Sequence, residues 1–127
     1  MPYFEDLTPY SFLTAADQVS PALVNIGWLS RWHSFSKGPV DKSVLEELLR
    51  LCQTPVRLTR GVHRCGMCHA FPNIMVVDGK EITLGNGEIR IPGQRDIVYV
   101  APTLICHYIG DHEYRPPQQF LDAASVL

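Results

Sequence analysis

The sequence predicts an α+β domain, an antiparallel β-meander of about four to six short strands packed with an amphipathic central helix and a C-terminal helix. Three observations carry this expectation. Apolar residues recur at helical spacing across 41–53, residues 56–101 break into short alternating runs separated by glycine turns, and helical spacing returns across 102–112.

The 127 residues suit a single domain, 1–127, which at this size buries roughly two thirds of its unfolded surface around one core. Residues 1–22 carry aromatics and prolines without periodicity and read as an ordered arm, with Tyr3, Phe4, Tyr10 and Phe12 packing onto the body. Val24, Ile26 and Trp28 alternate with Asn25 and Gly27, the pattern of a half-buried strand, and 34–39 follows as a loop. In 41–53, Val44, Leu45, Leu48, Leu49 and Cys52 form one stripe that excludes Lys42, Glu46, Glu47 and Arg50. Ser43 with Glu46 offers a capping box, Asp41 competes as N-cap, and Pro55 ends the helix.

Residues 56–60 and 62–65 read as short strands interrupted at Gly61. Residues 73–77 and 80–84 flank Asp78-Gly79, a tight-hairpin signal. After the Gly85-Asn86-Gly87 turn, strands at 88–91 and 96–101 flank Pro92-Gly93-Gln94-Arg95. Pro102 suits a helix start, and Leu104, Ile105, Tyr108 and Ile109 continue a helix over 102–112. Pro116-Pro117 breaks the chain before a short helix at 117–125.

A net charge of −2 with 19% charged residues provides no broad basic footprint for nucleic acid or anionic membrane. Arg57, Arg60 and Arg64 make one basic cluster, better read as a solvated or salt-bridged face. The start, Met1-Pro2-Tyr3-Phe4-Glu5-Asp6, lacks a basic stretch followed by an apolar run, and no segment reaches bilayer-spanning length. The expectation is a cytoplasmic protein with neither nucleic acid nor membrane as partner. In a reducing compartment the four cysteines suit metal binding or burial better than disulfides. Cys52 and Cys106, in apolar helical surroundings, read as small buried hydrophobes.

The chemically informative stretch is Arg60-Gly61-Val62-His63-Arg64-Cys65-Gly66-Met67-Cys68-His69. The two-residue gap between Cys65 and Cys68 lets a tight turn present both thiolates to one tetrahedral ion, with Gly66 supplying backbone freedom. His63, two residues before Cys65, would share its face on a strand. The predicted metal ligands are therefore His63, Cys65, Cys68 and His107, with His112 the alternative fourth ligand and zinc the expected ion. His69 is a further local donor. His107 and His112 lie five apart, which turns them away from each other on a regular helix unless His112 sits past its end. The competing reading is a pair of reduced cysteines in a loop, with His63 hydrogen-bonded in the core and His107 on the surface.

Other chemistries fit less well. Cys65-Gly66-Met67-Cys68-His69 matches the c-type haem attachment pattern, which goes with export. A thioredoxin-type pair opens a helix, whereas Pro72 and a strand follow here. A zinc deaminase requires His-x-Glu upstream, and the candidate reads His33-Ser34-Phe35. Phosphate loops, serine elbows and His-Glu-x-x-His helices are missing. Glu88 and Arg90 share a strand face; were an ion held by three protein ligands only, Glu88 would be placed as a general base toward bound water.

The chain also resembles an uncharacterised family of small bacterial one-domain proteins, through words spread from end to end. These are Tyr3-Phe4-x-Asp6-Leu7-Thr8-Pro9-Tyr10, Asn25-x-Gly27-Trp28-Leu29, Arg60-Gly61-x-His63-x-Cys65-x-x-Cys68, Gly87-Glu88-Ile89-Arg90, Ala101-Pro102-x-Leu104-Ile105-x-His107-Tyr108 and His112-x-Tyr114-x-Pro116-Pro117. The resemblance implies a freestanding bacterial protein whose signature includes His63, Cys65, Cys68, Glu88, His107 and His112, and does not include His69. The resulting functional expectation is a zinc-binding module that contacts another protein, as immunity proteins contact toxins. Its alternative is a small metal-dependent hydrolase with an open zinc site and Glu88 as base.

Overall fold

A computed structural model describes residues 2–10 and 22–127. Its elements are β1 (Ala22–Asn25), α1 (Lys42–Leu51), β2 (Ile74–Val77), β3 (Lys80–Thr83), β4 (Glu88–Pro92), β5 (Ile97–Pro102), α2 (Ile105–His112) and α3 (Gln118–Ser125). The α+β expectation holds, with five strands and three helices among the described residues. The strands divide into two sheets: β1-β5-β4, in which β1 runs parallel to β5 and β4 antiparallel to it, and a separate β2–β3 hairpin.

The break between hairpin and sheet has a local cause at the Gly85–Gly87 turn. Thr103 accepts hydrogen bonds at Oγ1 from the amides of Gly85 (2.8 Å) and Asn86 (3.2 Å), and its own amide donates to the Gly87 carbonyl (3.0 Å). The turn backbone is satisfied by this buried threonine, so β3 and β4 do not continue as a paired meander.

Strand β1 joins the sheet through β5, with Val24 opposite Tyr99 and Asn25 opposite Val100. Its other side is closed by the arm: Leu7 donates to the Asn25 carbonyl, Asn25 to that of Thr8, and Tyr10 to that of Leu23. Covered on both sides, Asn25, Ile26 and Trp28 are all buried, where alternation alone predicts a half-buried strand. The arm packs through Tyr10, which is buried, and Phe4, whose ring meets Trp28 edge-on at 5.6 Å. Phe12 lies outside the described residues.

The stripe of α1 is realised in buried Val44, Leu48 and Leu49. Asp41 is the N-cap, and its backbone carbonyl, not its side chain, accepts from Val44 and Leu45; the Ser43–Glu46 box does not form because the helix already starts at Lys42. Arg50 pairs with Glu47 (2.6 Å) and with Asp78 in the hairpin turn (2.8 Å), tying α1 to the β2–β3 hairpin. The core beneath contains Leu48, Leu49, Ile89, Ile91, Leu104, Ile105 and Phe120, all nearly inaccessible. Each such side chain contributes about 1.5–3 kcal/mol by leaving water.

Two predicted strands, 56–60 and 62–65, are not formed. An isolated bridge joins Val56 to Glu88, and Val56 and Leu58 remain 43% and 68% exposed, so the pattern of 56–60 buries no face, while in 62–65 Cys65 is buried from irregular backbone. Pro102 ends β5 instead of opening α2, which starts three residues later at Ile105. The last helix starts after Pro117 as expected. Among the described residues no helix is long and apolar enough to cross a membrane.

Gly85 fixes the position of the coil that precedes Cys65. It has φ +95°, and a Cβ there would lie 2.5 Å from the His63 carbonyl oxygen, while the His63 amide donates to the Gly85 carbonyl at 2.8 Å. Only glycine lets the coil lie so close to this turn. Gly85→Ala is therefore expected to lower unfolding stability in urea by about 2 kcal/mol or more. Gly61→Ala, where a Cβ meets nothing within 4 Å, is the control and should stay within about 0.5 kcal/mol of the parent.

Candidate metal centre

Cys65 and Cys68 sit in irregular backbone between Gly61 and β2, not on a strand. The turn joining them closes through the Met67 amide, which points at the Cys65 sulfur from 3.3 Å. Gly66 is not among the left-handed glycines, so the bend does not draw on the freedom expected of it.

The two histidines come from α2, and their convergence depends on how that helix ends. At about 100° per residue, positions five apart point about 140° away from each other. Here the last turn is widened: the Glu113 amide donates to the Tyr108 carbonyl five residues back, and the Tyr114 amide reaches the same carbonyl at 3.1 Å. Bonds of this longer span add residues to a turn and bring His112 round toward the face of His107. Glu113 then takes a left-handed conformation (φ +59°) and the chain leaves through Tyr114. Tyr114 is fully buried and its hydroxyl donates to Asp6 Oδ2 at 2.8 Å, which fixes the helix end against the arm.

The result is a group of four donors, Cys65, Cys68, His107 and His112, whose ligating atoms all lie within 4.8 Å of one another. Cys65 Sγ is 3.4 Å from His112 Nε2, and Cys68 Sγ is 3.3 Å from His107 Nε2. With ordinary zinc–sulfur and zinc–nitrogen bond lengths, the sulfur–nitrogen edge of a tetrahedron is about 3.5 Å. These two sulfur–nitrogen distances are thus close to the separation a tetrahedral ion imposes. Cys65 and His107 are buried, and Cys68 and His112 are partly so.

Electrostatics favour a cation here. Burial pushes the Cys65 thiol up, the Met67 amide partly opposes this, and the neighbouring Cys68 adds to it. Burial lowers His107, with Asp111 opposing and His112 reinforcing, so its imidazole is held neutral with a lone pair to offer. The buried Tyr108 hydroxyl is held well above its usual value, first by burial and then by the two cysteines. Two thiolates gathered here without a cation would be strongly unfavourable, and a bound divalent ion removes that penalty. His107 Nδ1 is 3.4 Å from Asp111 Oδ2, leaving Nε2 aimed at the sulfurs. This carboxylate–imidazole arrangement is the usual way a metal-ligating histidine is oriented. Asp111 was not singled out in the sequence, although its place four residues after His107 on a helix was a readable signal.

His63 is not in the group. With no strand at 62–65 the same-face argument lapses, and its backbone is held by Gly85 instead. His112, the alternative ligand, takes its place. His69 is exposed and also outside the group. Cys52 and Cys106 form a separate buried pair with sulfurs 3.8 Å apart.

Glu88 is likewise outside the group. It is 7% exposed and accepts the Tyr10 hydroxyl at 2.6 Å on Oε1. Its Oε2 is buried without a hydrogen-bond partner among the described residues. Burial raises its pKa, against the opposing effects of Tyr10, Arg57 and Arg90.

A family model described as Domain of unknown function (DUF7919) matches residues 2–125. The comparisons with curated proteins and with solved structures yield no match.

Because the Glu88 carboxyl is raised in the folded state, its contribution to stability is complete below the usual glutamate range and is lost as pH rises through the folded value. Glu88→Gln, which keeps an acceptor for Tyr10, is expected to lack this loss. The melting-temperature difference between variant and parent should therefore grow in the variant's favour across that window; a flat difference would show that Glu88 is not the group responsible.

Proposed function

The chain belongs to the family described as Domain of unknown function (DUF7919), and from that premise we propose that it is a small zinc-binding protein whose metal is structural and which works by contacting another protein. The observation that carries the metal reading is the convergence of Cys65, Cys68, His107 and His112 within 4.8 Å. Two thiolates and two imidazoles are a donor set that zinc prefers, and four protein ligands close its coordination shell. The ion would clamp the irregular segment around Cys65 to the end of α2, joining two parts of the chain that no strand pairing connects.

The interaction reading is supported by apolar surface on β2. Ile74 and Val76 are 45% and 61% exposed on β2, and β2 and β3 pair only with each other among the described residues. Such a hairpin offers a partner protein both an apolar face and open strand edges. An immunity-type role in a bacterial cytoplasm is one form this contact would take. The hydrolase reading has less support: four ligands leave no open position for water, and Glu88 is engaged by Tyr10.

Elemental analysis of untagged protein prepared without chelators is the first test. About one zinc per chain is expected, with metal and thermal stability lost together in Cys65→Ser and retained metal in His63→Ala. Cobalt substitution should give the visible spectrum of a tetrahedral site with two thiolate ligands. Asp111→Asn should weaken zinc affinity by about 10- to 100-fold while leaving the ligand set intact. Protein that binds neither zinc nor cobalt would overturn the proposal, and unchanged stability after complete metal loss would remove the clamp.

A further inference from the structure

A second place in the molecule has the makings of a ligand site and is independent of the metal centre. Between the β4–β5 turn and α3 lies a cavity of about 670 Å³, within the roughly 300–1,000 Å³ that small-molecule sites occupy. Tyr99 of β5 lines it and is only 3% exposed, its ring packed edge-on against Phe120 at 5.6 Å. Its hydroxyl makes no hydrogen bond to any described residue, and it is not among the sealed polar atoms either, so it opens into the cavity. Gly93 permits this placement, since a Cβ there would lie 2.6 Å from the tyrosine ring. A side chain so buried, presenting an unpaired hydroxyl to a cavity, is ready to donate to a ligand.

The two walls carry opposite charges that do not meet. Arg95, presented by a turn in which both Arg95 and Asp96 are left-handed, has no partner among the described residues. Asp122 on α3 accepts from Gln118 on Oδ1 (2.8 Å), and its second oxygen is unengaged by any described residue. Ile97 and Val126 supply apolar lining. An anion suits the Arg95 and Tyr99 side, and a cation suits Asp122 near the C-terminal end of α3, where the helix dipole is negative.

We propose that this cavity binds a small zwitterion, an α-amino acid with an apolar side chain, its carboxylate toward Arg95 and the Tyr99 hydroxyl and its ammonium toward Asp122. The test is titration of the isotopically labelled full chain by amide NMR with L-leucine, 4-methylpentanoate and isoamylamine, the last two being leucine without its ammonium and without its carboxylate respectively. Saturable leucine shifts confined to 93–99 and 119–126 are expected, with each single-charge analogue at least about tenfold weaker. Arg95→Gln and Asp122→Asn, both at exposed positions, should each weaken leucine binding about tenfold or more with the remaining spectrum unchanged, and Tyr99→Phe should weaken it while keeping the ring in place. No saturable shift with leucine overturns the proposal, as does equal binding of either analogue or unaltered leucine binding in the Arg95 and Asp122 variants.

Discussion

The structure turns on the gathering of two sulfurs and two imidazole nitrogens between a coil and the end of a helix. Taken without a cation, these groups oppose one another: burial resists ionisation of Cys65, and each thiolate makes the other less favourable. Holding them within 4.8 Å requires the backbone on both sides to be fixed by something else. On the coil side that is the contact of His63 with Gly85, whose missing Cβ allows carbonyl and amide to meet. On the helix side it is the widened last turn of α2 and the anchoring of Tyr114 on Asp6.

These anchors connect distant parts of the chain. Asp6 receives Tyr114 on one oxygen and the Gly27 amide on the other (2.9 Å), so the arm, the end of β1 and the exit of α2 share one carboxylate. Thr103 links the Gly85 turn to the start of α2 in the same manner. A short helix of eight residues has little stability of its own. Its position is set by buried Leu104, Ile105 and Tyr108 and by these polar links, and the site inherits its geometry from them.

Periodicity located α1 well because its apolar stripe is amphipathic and its ends are marked by Asp41 and Pro55, whereas α3 was marked by the Pro116-Pro117 break before it. The Asp78-Gly79 hairpin was equally readable, since both residues take the positive φ that such a turn demands. The segment at 56–60 misled because alternation states only that one face is apolar and not that anything lies opposite it, and 62–65 because burial of Cys65 does not require strand pairing. Pro102 was ambiguous for a similar reason: proline at a strand end and proline at a helix start meet the same backbone requirement.

The sequence by itself determined the α+β class, the donor types and the pairing of Cys65 with Cys68, since these follow from periodicity and a two-residue gap that acts locally. Tertiary structure alone decided that β1 joins parallel to β5, that Glu88 is buried against Tyr10, and that His112 and not His63 completes the group with His107. The physical reason is range. A turn or an amphipathic stripe is set by neighbours a few residues away, whereas the fourth donor depends on a widened helix end, a glycine contact 22 residues from His63, and a tyrosine held by the opposite terminus.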